Sequence, residues 1–166
     1  MTDETERLAL PLIAPGQAQK EMTHNEALAL LDLAVQASVV AVGLDNPPAD
    51  PVPGACWIVG RQPGGAWAGH PGAIAGWTGG GWRFVAPRPG LVAWSVADGV
   101  EARCDGVRWT VGRVTGDVLV IEGAAVVGPR QSAITDPVGG VTVDAEARVA
   151  LRAILAALRN HGLIAV

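Results

Sequence analysis

The chain has 166 residues, a formal net charge of −4 at pH 7 and 49% apolar residues, enough for one domain or a small domain with attached arms. Of its 12 basic residues only Lys20 is a lysine, and the arginines are scattered; this excludes nucleic-acid or bulk phosphate binding, which needs clustered positive charge. Six tryptophans, one phenylalanine and no tyrosine make Trp the large filler of an otherwise aliphatic core. The 22 glycines and 12 prolines are interleaved with apolar residues, a pattern of many turns rather than of disorder.

Residues 1–9 form a polar terminus without the apolar stretch of a signal peptide, so synthesis in the cytoplasm is expected. Residues 10–16 are extended by Pro11 and Pro15. With Leu8, Leu10, Leu12 and Ile13 they read as an arm packed on its own domain or on a neighbour. A helix follows. Thr23 and Glu26 have capping-box spacing, with an earlier turn over residues 17–22 as the alternative start. Leu28, Leu31, Val35, Val39 and Val42 lie at helical spacing, and Leu30, Leu33, Ala34 and Ala37 line a second stripe. A helix apolar on two sides must be covered on two sides, and another copy of the chain is the expected second cover. Gly43 and Asn46-Pro47-Pro48 supply the stop. Asp32, Gln36 and Ser38 interrupt the run, so membrane insertion is not expected. Residues 1–44 thus read as an anchoring or oligomerisation segment, with Leu12, Ile13, Leu28, Leu31 and Val35 as its contacts.

Residues 45–53 are a linker by composition. Residues 54–127 read as a Trp-rich antiparallel β domain. Strands are expected at 55–60, 73–77, 82–85, 91–96, 100–104 and 107–111, with turns at Thr78-Gly79-Gly80-Gly81, Ala97-Asp98-Gly99 and Asp105-Gly106. Residues 117–127 continue in β character, with a bend at Gly123. In the last segment, residues 128–166, Asp144 caps a helix that runs to about residue 160 and stops at Gly162. Leu151, Ile154, Leu155 and Leu158 form its apolar face, a docking or bundling surface, and Arg148, Arg152 and Arg159 lie away from it. The expected fold is α+β, mainly β: an arm and helix, a small antiparallel meander or barrel, and a C-terminal amphipathic helix.

No residue set announces catalysis. His24, His70 and His161 have no metal-ligand spacing with one another or with a cysteine, and no metal or cofactor is expected. Asp98 and Asp105 each precede glycine, as turn residues do. The serines lack a nucleophile-elbow context, and Gly79–Gly81 lacks the rest of a phosphate loop. Cys56 and Cys104 read as buried small residues whose pairing stays open. Indole faces stack on sugar rings as well as fill cores; Trp67 and Trp77, beside glycine-rich loops, and His70 are the candidate glycan contacts.

The segments LPLIAPGQAQKEMTHNEALALLD (10–32), NPPADPVPGACWIVG (46–60), GAWAGHPGAIAGWTGGGWRFVAPRPG (65–90) and DGVRW (105–109) resemble an uncharacterised family of alphaproteobacterial prophages and gene transfer agents, which are domesticated phage-like particles. The C-terminal stretch VVGPRQSAITDPVGG (126–140) and VDAEARVALRAILAALRNHGLI (143–164) is similar to the ends of longer fibre-like proteins from the same settings. The resemblance implies a non-enzymatic structural subunit of a spike or fibre, carried on particles released from the cell. Its partners would be itself, as a trimer or pentamer, and capsid or other spike proteins. Host polysaccharide is a further candidate partner, and a glycan-binding module is the alternative function. The shortness of this chain favours a base or adaptor piece over a complete host-binding fibre.

Overall fold

The apolar stretch after residue 20 forms one helix and two strands, not one long helix. The computed structural model describes residues 4–16, 20–139, 141, 144–161 and 163–165. Helix α1 spans Lys20–Ala34, and strands β1 (Ala37–Val39) and β2 (Val42–Leu44) follow. The break falls at Gln36, whose φ of +44° is left-handed, a conformation that ends helices. Beyond it the valine-rich sequence suits a pleated strand better than a helix, because β-branched side chains lose rotamer freedom against a helical turn. Two expectations are thereby corrected. Thr23 and Glu26 lie inside α1 and do not cap it. Val39 and Val42 need no second copy to cover them, since Val39 is in the core and Val42 packs against it. The earlier helical turn considered over residues 17–22 lies partly outside the described residues.

Two four-stranded sheets make up the unit Met1–Arg113. One has the order β2-β3-β4-β5, with β3 at Cys56–Val59, β4 at Ile74–Thr78 and β5 at Gly81–Val85. The other has the order β1-β6-β7-β8, with β6 at Pro89–Ser95, β7 at Val100–Asp105 and β8 at Trp109–Val111. The meanders β3-β4-β5 and β6-β7-β8 are antiparallel, with tight turns between β4 and β5, β6 and β7, and β7 and β8. At the edge of each sheet, however, a strand from residues 37–44 adds in parallel, β1 on β6 and β2 on β3. The architecture is α+β and mainly β, and the sheets do not close into a barrel.

Strand β3 is buried along its whole length, as a strand covered on both faces must be. Its Cys56 and Ile58 join Leu33, Ala37, Val39, Ile74, Ala93 and Ala102 in a core that draws on both sheets and on α1. Its Trp57 and Val59 join Trp67 and Ala75 on the opposite face, where Trp77, Trp82 and Phe84 complete a second core. Gly76 in β4 sets how closely α1 approaches: a Cβ there would lie 2.2 Å from Leu33 Cδ2. Gly76→Ala is therefore expected to destabilise the protein by about 1–3 kcal/mol through overpacking. Urea denaturation should show the loss, and Leu33→Ala in the same chain should recover part of it by vacating the space.

In the unit Val114–Val166, β9 (Leu119–Ile121) and β10 (Ala124–Val127) form a hairpin. Glu122 and Gly123 both have positive φ, +50° and +78°, the conformation of a tight two-residue turn. Helix α2 spans Ala145–Asn160, and Asp144 caps it by accepting from the Ala147 N–H at 2.8 Å. The stop expected at Gly162 lies outside the described residues. Three arginines of α2 clamp the segment before it. Arg148 donates to the Gly139 carbonyl, Arg152 reaches that of Pro137 at 3.5 Å, and Arg159 binds the Ile134 carbonyl and, at 2.9 Å, the Asp136 carboxylate.

Candidate functional site

The N-terminal arm folds back on the helix that follows it, and two polar residues of α1 hold it there. Asp32 is buried. Its carboxylate accepts from Thr5 Oγ1 at 2.9 Å, from the Arg7 N–H at 3.1 Å and from the Leu8 N–H at 2.6 Å. The Arg7 guanidinium then donates to the carbonyl of Asp32, one of those left open at the C-terminus of α1, and to that of Gln36 just beyond the helix. One turn-pair earlier, Asn25 treats Ile13 as a strand partner: Oδ1 accepts from its N–H at 2.9 Å, and Nδ2 donates to its carbonyl at 3.0 Å. Glu6 extends the contact to the β4–β5 turn, where it accepts from the Gly79 N–H at 2.9 Å. Leu12 and Ile13 are half-buried in this arrangement, as is Leu28, whereas Leu31 is 50% exposed and Val35 is exposed. Sequence reasoning singled out the apolar residues here and missed Asn25 and Asp32. Their signal was present: polar residues seven apart share one face of a helix otherwise rich in Leu and Ala.

The candidate glycan residues do not form one surface. Trp67, in a single 3-10 turn at Gly65–Trp67, is 0% exposed. It packs edge-on against Trp82 with centroids 5.2 Å apart, and Trp57 lies 6.2 Å away. Its indole faces are closed to a sugar in this conformation. Trp77 is half-buried and meets Trp82 edge-on at 5.0 Å. His70 is exposed and stacks flat on Phe84, 3.7 Å between centroids. The one largely exposed indole is Trp94, 48% accessible, between Ser38 and Glu101 in register.

A different kind of surface occupies the C-terminal unit. Among its described residues only Leu155 and Ile164 are buried. Hairpin β9–β10 exposes Leu119, Val120, Ile121, Val126 and Val127 on both faces. On α2, Leu151 and Ile154 are 48% and 56% exposed, beside the buried Leu155 and half-buried Leu158. These four follow the i, i+3, i+4, i+7 spacing of a helix-packing stripe. The arginine clamp occupies another side of α2, so the stripe stays open.

The remaining polar groups serve local structure. Asp98 accepts from Ser95 Oγ at 2.5 Å in its turn. Asp105 accepts from the N–H groups of Arg108 and Val107, and the Arg108 bond first, then that of Val107, holds its carboxyl below the usual range. Cys56 and Cys104 are both free thiols in the core, and burial pushes that of Cys56 up to about 11. Among the described residues no three His, Cys, Asp or Glu side chains gather into a metal site, and no helix is long and apolar enough to cross a membrane. Residues 24–110, just over half of the chain, match the model of a family described as a protein of unknown function, DUF2793. This span runs from α1 into β8 and so takes in both sheets. No curated protein matches the chain.

Proposed function

We propose that the chain, which belongs to the DUF2793 family of proteins of unknown function, is a structural subunit of a phage-like particle: a spike or fibre base, or an adaptor, that assembles with copies of itself and helps the particle attach to its host. One observation carries the assembly part of this reading, the exposed apolar surface of Val114–Val166. Ordering a residue costs about 1–2 kcal/mol of backbone entropy, and two buried apolar side chains among the described residues of the unit do not offset that over its length. Burial between copies can. The hairpin with two apolar faces and the open helix stripe suit repeated, symmetric contact, as in a homo-oligomeric fibre segment. The particle setting and the capsid or spike partners rest on the sequence resemblance of residues 10–112 and of the C-terminal stretch.

Sedimentation velocity of the purified chain at micromolar concentration tests the assembly role. A single homo-oligomeric species is the expected result, and a well-folded monomer overturns it. Imaging of intact particles bearing a labelled chain gives the copy number and the location on head or tail.

A further inference from the structure

A cleft of about 730 Å³ opens where the ends of β2 and β3 approach the β7–β8 turn. Its apolar wall includes Trp109 and Pro87, and Asp45, Arg61, Gln62 and Arg108 stand around it. The backbone fixes both sides. Trp109 is held by its Nε1–H, which donates to the Gly72 carbonyl at 2.8 Å. Arg108 follows a turn tied by Asp105, whose Oδ1 accepts from the Val107 and Arg108 N–H groups at 2.8 and 2.7 Å. Across the cleft, the Gln62 N–H donates to Asp45 Oδ1 at 2.9 Å. Gly60 beneath it has no room for a side chain, since a Cβ would lie 2.2 Å from the same oxygen.

The arginines of this unit divide into engaged ones and open ones, and those of the cleft are open, as are Arg88 and Arg113 outside it. Arg83 and Arg103 are each in an ion pair, and Arg7 is committed to α1. Among the described residues, the guanidiniums of Arg61 and Arg108 make no ion pair and donate no hydrogen bond. Both residues are exposed. They are balanced by the Asp45 carboxylate in the cleft and by Asp105 behind Arg108, so the site has little net charge with which to select a polyanion. What it offers is a rigid apolar wall and planar groups with several donors or acceptors each. This is the complement of a pyranose, which has one C–H face and a rim of adjacent hydroxyls. The volume lies in the range of about 300–1,000 Å³ found for small-molecule sites.

We propose that this cleft is a saccharide site that takes a short segment of neutral oligosaccharide, its hydroxyls bound by Arg61 and Arg108 and its apolar face set against the wall that includes Trp109. None of Trp67, Trp77 and His70 lines it. The proposal deepens the host-attachment part of the function above and does not depend on assembly.

The test is titration of the full-length, 15N-labelled chain with maltotriose, chitotriose and trigalacturonate, followed through the six indole N–H signals. Trp109 is assigned by Trp109→Phe, and the oligomeric state is measured in the same buffer. Maltotriose or chitotriose is expected to shift the Trp109 signal saturably at millimolar concentration. Arg61→Ala and Arg108→Ala should each weaken binding by about tenfold, the effect of losing a charge-assisted hydrogen bond, while Trp94→Ala leaves it unchanged. The proposal is overturned if no sugar moves the Trp109 signal, if only trigalacturonate does, if binding survives in the double arginine variant, or if Trp94→Ala abolishes it. Absence of sugar binding by an intact oligomer of the unsubstituted chain overturns the cleft alone, and binding by a monomer overturns the assembly role alone.

Discussion

Asp32→Ala is expected to unlatch the N-terminal arm and to destabilise the unit Met1–Arg113 by about 3 kcal/mol. Three donors converge on this buried carboxylate, from Thr5, Arg7 and Leu8, and hydrogen bonds to a charged acceptor are worth about 1.5–3 kcal/mol each. The net loss is smaller than their sum, because the arm can leave and its donors return to water. Arm and helix end are coupled. When Arg7 departs, the carbonyls of Asp32 and Gln36 lose their cap, and α1 should fray from Ala34 backwards. Urea denaturation measures the stability, and trypsin reports the arm, since the bond after Arg7 becomes accessible once the arm is free. Asp32→Asn keeps the shape and an acceptor and should fall between the two. If the urea midpoint does not move and the Arg7–Leu8 bond stays resistant, the arm is held by the apolar contacts of Leu12 and Ile13 instead. The geometry also bears on assembly, because the residues 4–16 arm already has a binding site on its own chain.

The strands were legible where turn chemistry is local. Thr78-Gly79-Gly80-Gly81, Ala97-Asp98-Gly99 and Asp105-Gly106 mark turns by their residues alone, and the structure places a turn at each. Residues 35–44 were not legible, because Val35, Val39 and Val42 satisfy a helical period while Ala37 and Val39 satisfy a strand period. What decided between them was partners more than fifty residues ahead in the case of β1, which pairs with β6. No local pattern encodes that, and it also explains why the parallel edges were unforeseen. Tryptophan posed a related problem. Trp57, Trp77 and Trp82 share one face of adjacent strands, which register alone reveals, and Trp67 joins their cluster from the 3-10 turn. Glycine neighbours had suggested exposure for Trp67; here they make the tight turn that buries it. The C-terminal helix and its Asp144 cap were readable because amphipathic period and cap chemistry are both local.

Leu151→Asp with Ile154→Asp is expected to weaken self-association by more than about a hundredfold, which corresponds to about 2.7 kcal/mol. Each substitution forces an interface to bury a carboxylate or to open, and an unpaired buried charge costs more than that. The two helices of the chain offer unequal surfaces for this purpose. Helix α1 has spent its apolar face on its own unit: Leu33 is in the core against Gly76, the arm covers Asn25 and Asp32, and Leu31 and Val35 remain outside. Helix α2 keeps Leu151 and Ile154 open and buries only Leu155. Leu31→Asp is therefore the informative comparison. It should leave the oligomer largely intact if α2 carries assembly, and should dissociate it if α1 does. Sedimentation velocity reads the outcome, and fluorescence checks the fold of the first unit, since all six tryptophans lie between residues 57 and 109. A dissociated variant with unchanged tryptophan emission and reduced helical circular dichroism would show that α2 is ordered by its neighbours. Persistence of the oligomer in all these variants would move the contact to the β9–β10 hairpin, which exposes apolar side chains on both faces.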